Sequence, residues 1–322
     1  MEACVCVIIP AYDAAATIGR AVASALAQPE VAEVIVVDDA SGDATIAQAR
    51  AADDGSQRLS VLALPDNRGP SAARNAAIHA GRAPLLAILD ADDFLLPGRF
   101  ARLLARPGWD FIADNILFVP EGAEDAPVPV LADRHRRLAL HEFVARNISR
   151  PGHPRAELGF LKPLIRRAAL EKIGLRYQED IRLGEDYLLY AEALARGAVF
   201  ELSEACGYVA VERATSLSGR HRTEDLGRLL AADRRLAGHP DIAAADRAIL
   251  GRHVAALDTK HAHRRFLDDK RTAGMRHAML PLLGHPRRLL GIARAIVRDK
   301  FGAPSATGPI AARLLFGPDE FE

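Results

Sequence analysis

Three clusters of acid stand where apolar runs stop: Asp38-Asp39 after Val34–Val37, Asp90-Ala91-Asp92-Asp93 after Leu85–Leu89, and Glu185-Asp186 after Gly184. An apolar run ending in carboxylates is how a buried parallel strand delivers charge to the open edge of its sheet, so the three endings are expected at one site. Acids crowded at a strand terminus repel one another, and a divalent cation that bridges carboxylate and phosphate oxygens resolves the repulsion. Hard oxygen ligands at Asp-x-Asp spacing suit Mg2+ or Mn2+. Two absences narrow the phosphate chemistry. The chain has no Gly-x-Gly pair and no Gly-x-x-x-x-Gly-Lys-Ser/Thr run, which excludes the dinucleotide fingerprint and the ATPase phosphate loop.

The elements that must position these acids alternate. Cys4–Ile9, Val34–Val37, Leu59–Ala63 and Leu85–Leu89 read as strands, and Thr17–Gln28, Thr45–Ala52 and Ser71–Ala80 as the helices between them, the last ending at Gly81. That rhythm predicts an α/β fold with right-handed crossovers and a mainly parallel central sheet flanked by helices. Past Asp93 the reading is a helix at Arg99–Leu104, a strand at Asp110–Val119 and a Pro- and acid-rich loop at Pro120–Pro129. Helices at Arg166–Ile173 and Asp186–Arg196 close on Gly174 and Gly197, and short strands follow at Val199–Glu201 and Gly207–Val211. Beyond Thr223 the pattern is helical with no strand signal. This divides the chain into an α/β domain over 1–220 and a helical, basic C-terminal extension over 221–322.

With 322 residues, 49% of them apolar and 26% charged, the chain can bury a sizeable core. Cys4 and Cys6 alternate inside a strand pattern and, with the third cysteine, fit neither a disulfide framework nor a paired zinc spacing, so buried thiols in a reducing cytoplasm are expected. No leader pattern opens the chain, and no apolar run approaches the roughly 18 residues of a membrane span, which points to a cytoplasmic protein.

A net charge of zero conceals an asymmetry: residues 1–130 carry nine Lys/Arg against eighteen Asp/Glu, and Lys260 to Lys300 carry eleven against three. Segments such as Arg287–Arg298 suit a basic amphipathic helix on the anionic inner face of the cytoplasmic membrane. Packing on the first domain, or pairing into a homodimer, is the alternative use of such a face. The acidic first half speaks against nucleic acid.

The ordered set Val7-Ile8-Ile9-Pro10-Ala11-Tyr12-Asp13, Val37-Asp38-Asp39-Ala40-Ser41-x-Asp43-x-Thr45, Asn67-Arg68-Gly69-Pro70-Ser71-Ala72-Ala73-Arg74-Asn75, Leu89-Asp90-Ala91-Asp92-Asp93 and Glu185-Asp186 resembles the motif set of family 2 inverting glycosyltransferases with the GT-A nucleotide-diphospho-sugar transferase fold. The stretch Gly159–Pro163 through Arg182–Tyr187 further resembles bacterial exopolysaccharide enzymes of the succinoglycan type. The resemblance implies transfer of a sugar, with glucose leading, from a UDP-sugar to a glycan or lipid-linked saccharide.

It also implies residue roles. Pro10, Ala11 and Tyr12 line the base, whose ring Tyr12 can stack on, and Asp39 accepts from the uracil imide while Asp38 caps the turn. Arg74 meets the base edge or diphosphate, or locks Asp90 in an ion pair. Asp90 takes ribose hydroxyls through the Asp90-Ala91-Asp92 turn, Asp92 takes the metal, and Asp93 supports the turn. Asp186, beside Glu185 at a helix start, is the general base, since inversion needs one carboxylate to take the acceptor proton and no enzyme nucleophile. Helix capping is the plain structural reading of the same pair. Lys162 reaches donor sugar or acceptor, or is simply solvated. His153 and His221 stand alone in the sequence, and some relatives place an extra metal ligand where His221 falls. Two other classes stay open: a nucleotidyltransferase, for which Pro10–Thr17 lacks the glycine- and lysine-rich loop, and a sugar-nucleotide or glycan-binding scaffold with a dead site.

Overall fold

The computed structural model describes residues 3–149, 156–213, 221–282, 291–292 and 311–321. β1 (Val5–Ala11), β2 (Val31–Asp38), β3 (Leu59–Ala63) and β4 (Leu85–Ile88) lie in the order β3-β2-β1-β4, all parallel. β4 is buried at every position and β1 at all but Pro10, because helices α1 (Ile18–Leu26), α2 (Thr45–Ala51) and α3 (Pro70–Ala80) carry the crossovers. Continuous apolar runs are what two covered faces require. β1 and β2 finish together, Ala11 beside Asp38. The Asp39 amide donates to the Ala11 carbonyl at 2.8 Å, so both strands release their chains at one edge.

The mainly parallel expectation describes these four strands, and past β4 the sheet becomes mixed. After β5 (Phe94–Leu95), α4 (Arg99–Leu104), β6 (Phe111–Pro120), β7 (His135–Arg137) and α5 (Leu140–Arg146), strand β8 (Leu164–Arg166) enters antiparallel between β4 and β6. Helices α6 (Arg167–Ile173) and α7 (Glu185–Ala195) precede β9 (Phe200–Glu212), which is parallel to β6 and antiparallel to β5 and β7. The two short strands expected near 199–211 are this one strand. Its polar centre stays in the sheet because Arg134 grips the Glu204 carboxylate at 2.7 and 3.0 Å, and the register against β6 shifts on either side of Asn115 to accommodate the extra residues.

The C-terminal part folds back on the first. α8 (Thr223–Ala237) packs on α7 and on α9 (Ala244–Met279, broken at Gly274 with φ +86°), and α9 packs on α5. β10 (Arg313–Leu314) pairs with β6, and the Asn115 side chain donates to the Phe316 carbonyl while accepting from the Leu315 and Phe316 amides. Two residues are too few to show a period, so no strand was legible there. The residues around the expected boundary at 220, including Ser216-Leu217-Ser218, lie outside the described residues, as do His153 and, apart from 291–292, the basic segment Arg287–Arg298. Among the described residues no helix is long and apolar enough to cross a membrane. Cys6 and Cys206 are buried thiols, each pushed up to about 12 by burial first of all.

Candidate active site at the open edge of the sheet

The chain leaves β1 and β2 through two interlocked turns. The Ser41 hydroxyl accepts from the Asp13 amide at 2.9 Å, Asp13 accepts from the Gly42 amide at 2.8 Å, and Asp38 accepts from the Ser41 amide at 3.0 Å. Pro10 is half-buried, Ala11 buried, and Tyr12 is 42% exposed beside them, an aromatic face with no ring partner among the described contacts. Asp39 is buried with both oxygens engaged, accepting from the Arg68 and Gly69 amides at 2.8 and 2.7 Å. Gly69 makes this possible: its φ is +90°, and a Cβ there would meet the Arg182 side chain at 3.3 Å. Asp38 differs, because its Oδ1 is buried without a hydrogen-bond partner.

A second constellation forms where β4, β8 and α7 converge. Arg74, buried on α3, donates to Glu185 at 2.7 Å and to Asp90 at 3.3 Å and stands 3.4 Å from Asp186. Lys162, also buried, places its Nζ 2.9 Å from Asp90 Oδ2 and 2.8 Å from Asp186 Oδ2. Tyr177 donates its hydroxyl to Asp186 Oδ1 at 3.0 Å. Two cations among three acids leave the cluster one negative charge in excess. Burial would lower the pKa of Lys162 and of Arg74, but Asp186 with Asp90, and Asp186 with Glu185, outweigh it and hold both groups firmly protonated. Burial alone would raise Asp90, yet Lys162 and then Arg74 bring it below the usual carboxylate range. Burial, then the Asp186 charge, holds the Tyr177 phenol well above its ordinary pKa, so it remains a donor.

The third acid of the β4 turn is used differently. Asp93 accepts from the Tyr208 hydroxyl at 2.7 Å and the Val211 amide at 2.9 Å, and Tyr208 in turn accepts from the Asp90 amide at 3.1 Å. It joins the turn to β9. Asp92 is left on the outside, its side chain 39% exposed and its only ion pair among the described residues Arg213 at 3.8 Å. Burial first, then the Asp90 charge, raise its pKa, although water screens part of that effect at such exposure. Ala91 between them is buried.

A carboxylate short of positive charge, open to solvent and beside two further acids fits a divalent cation whose remaining ligands come from phosphate oxygens. Among the described residues no three His, Cys, Asp or Glu stand together as a ready-made metal cage. His221 lies just ahead of α8, and burial, opposed by Glu185 and Asp225, lowers its pKa.

What the sequence did not show is how α7 is seated. Tyr187, next to Asp186, donates to Asp233 of α8 at 2.8 Å and lies 3.0 Å from His253 Nδ1 of α9, which itself is 2.8 Å from Asp233. All three are buried, and Tyr187 stacks on Phe143 at 5.6 Å. Gly184, with φ +71°, lets α8 close in: a Cβ there would stand 3.0 Å from Leu229. Arg99 and Asp114 form a second buried pair, and Arg99 also donates to the Lys162 carbonyl, fixing the backbone that carries the ammonium. A tyrosine one place after a carboxylate, or an arginine in a short helix, carries no period or motif that would have signalled these roles.

A parallel half-sheet with its acids gathered at the carboxyl ends, continued by mixed strands and a cation–acid cluster, is the arrangement of a GT-A glycosyltransferase. The solved structure of S. aureus TarS 1-349 in complex with UDP-GlcNAc superposes with a TM-score of 0.62 at 18% identity, over 92% of this chain and 81% of that one. TarS 1-349 in complex with UDP gives 0.60 at 18% identity, over 98% and 96%. In sequence, residues 6–148 match the Glycosyl transferase family 2 model. Succinoglycan biosynthesis protein ExoU of Rhizobium meliloti (strain 1021) is 49% identical over 95% of this chain and 92% of its own length, and ExoO of the same organism is 36% identical over 95% and 85%. The chain belongs to glycosyl transferase family 2 and is a glycosyltransferase.

Proposed function

We propose that the enzyme moves a sugar with inversion from a UDP-sugar, glucose leading, to a glycan or lipid-linked saccharide during succinoglycan-type exopolysaccharide synthesis, working on the cytoplasmic side of the membrane. The reading draws on the names of the similar proteins, ExoU and ExoO for the pathway and TarS bound to UDP-GlcNAc for the donor class. The observation that carries it is the placement of Asp186: buried at the head of α7, tied to Lys162 and Tyr177, and joined to the strand-end Asp90 through the Lys162 ammonium.

The donor's base lies against Tyr12, and its imide meets the Asp38-Asp39 turn. The resemblance favours Asp39 as acceptor, but both Asp39 oxygens already serve backbone amides, and the buried Oδ1 of Asp38 is the acceptor without a partner. Asp90 takes ribose, and Asp92 with the donor phosphates would hold Mg2+ or Mn2+, which when bound neutralises the charge developing on the departing diphosphate. His221 is the second residue assigned toward that ion. Lys162 and Arg74 hold Asp90 in its charged form and both stand against Asp186, and Lys162, between the donor-side and acceptor-side acids, reaches the sugar being transferred. The acceptor hydroxyl donates its proton to Asp186, whose oxygens each retain a lone pair beyond the bonds from Lys162 and Tyr177, and the freed alkoxide attacks the anomeric carbon opposite the diphosphate. Glu185 holds Arg74 beneath this base.

Calorimetric titration of UDP, GDP and TDP, each with and without Mn2+, against wild type and Asp92→Asn tests the donor half. Metal-dependent binding of UDP alone, lost in the variant, is expected. No nucleotide binding would bring the dead-site scaffold forward.

A further inference from the structure

A cavity of about 520 Å3 opens between the start of α8 and the middle of α9, lined by His221, Arg222, Thr223, Arg264, Leu267, Asp268 and Arg271. We propose that it is an acceptor subsite for a phosphate-class anion, gripped by Arg222, Arg264 and Arg271. The inference rests on the transferase reading above for its place in catalysis, but not for the chemistry of the pocket.

Three guanidinium groups face one carboxylate there, and that carboxylate is already engaged: Asp268 accepts from the Thr223 hydroxyl at 2.5 Å and pairs with Arg271 at 3.3 Å. Arg264 is fixed in place by donating to the His221 carbonyl at 2.6 Å, and among the described residues the rest of its fork has no hydrogen-bond partner. Like charges gathered around one cavity are unfavourable without a counter-ion, so the lining is built for an anion. Each guanidinium offers up to about five N–H donors, more between three of them than a single carboxylate can accept, whereas a phosphate or diphosphate presents oxygens on every side. The sequence agrees, because the eleven Lys/Arg against three Asp/Glu between Lys260 and Lys300 put the excess base on this part of the chain.

The position of the cavity assigns it to the acceptor. α8 leans on the head of α7 through Leu229 against Gly184, and Arg228 donates to the Asp180 carbonyl at 3.1 Å just ahead of Glu185-Asp186. The donor's base and ribose are held on the other side, by β1, β2 and β4. Because α8 packs on the head of α7, an acceptor approaching Asp186 along α8 brings a phosphate within reach of the cavity at that helix's start, and that phosphate is what the arginines hold.

The test uses the full chain with the donor site already saturated by UDP and Mn2+. Inorganic pyrophosphate is titrated into wild type, Arg264→Gln/Arg271→Gln and Asp268→Asn, followed by a prenyl diphosphate in detergent micelles. Expected are measurable pyrophosphate binding, at least a tenfold loss in the double variant with UDP affinity unchanged, and tighter binding in Asp268→Asn, a gain that misfolding cannot imitate. Prenyl diphosphate binding more tightly than pyrophosphate marks a lipid-linked source; equal affinities mark the phosphate group alone. Absence of pyrophosphate binding, or equal binding by all three proteins, overturns the proposal. Should UDP itself fail to bind, the transferase reading falls, while pyrophosphate binding that still tracks the arginines keeps the anion site.

Discussion

The two halves of the site handle their acids in opposite ways. At the proposed nucleotide side, Asp38, Asp39 and Asp43 accept from backbone amides, some only a few residues away, and only the buried Oδ1 of Asp38 lacks a partner among the described residues. At the proposed transfer side, Asp90, Glu185 and Asp186 are held by two cations, Arg74 and Lys162, and the Tyr177 hydroxyl, brought together from distant parts of the chain. Amide-bound acids hold a loop in shape and leave its surface free to read a ligand. Acids held by buried cations depend on those cations for their charge balance, and removal of one cation strands the acids it served.

The strongest way to break that contrast is Asp186→Asn. Transfer is expected to fall by roughly 10²–10⁴ with UDP affinity unchanged, as a lost general base should give. Turnover near the wild-type value would remove Asp186 from the proton transfer. Lys162→Met leaves the buried Asp186 and the half-buried Asp90 without their ammonium, and a destabilisation on the order of 3 kcal/mol is expected in chemical denaturation. A change well under 1 kcal/mol would show that water or Arg74 takes over.

On the nucleotide side, Asp38→Asn and Asp39→Asn sharpen the comparison. Asp39→Asn should cost about 1–3 kcal/mol of stability, because one of its two amide donors loses its acceptor. Asp38→Asn should instead weaken UDP while sparing the fold. If Asp39→Asn alone weakens UDP at unchanged stability, the base is read by Asp39. Tyr187→Phe removes a hydroxyl from the Asp233–His253 pair, and about 1–3 kcal/mol of stability should go with it. Thermal unfolding indistinguishable from wild type would show that α7 is seated by Phe143 stacking and Leu229 packing instead. The smallest effect is expected at Asp93, whose carboxylate serves β9: Asp93→Asn should leave Mn2+-dependent UDP affinity within about threefold, on the order of 0.6 kcal/mol.

The acid-ended strands were legible because β1, β2 and β4 are covered on both faces, which forces unbroken apolar runs that stop at the sheet edge. The helices between them matched for the same reason, with ends displaced by a residue or two. β9 was read as two strands because Ser203, Glu204 and Gly207 interrupt its apolar pattern, and only Arg134, far off in sequence, makes Glu204 acceptable there. Lys162 could not be separated from a solvated lysine, since its burial depends on Asp90 and Asp186 converging on it.

By itself the sequence determined the parallel half-sheet, the clustering of three acidic endings and the family motifs, because local apolar periodicity and short-range turn chemistry are written in consecutive residues. The tertiary structure alone decided which acids are neutralised and which stay open. It also decided that the basic C-terminal helices stand behind α7 through Tyr187, Asp233 and His253. Charge balance in a buried site is a sum over groups separated by dozens of residues, and no local pattern records that sum.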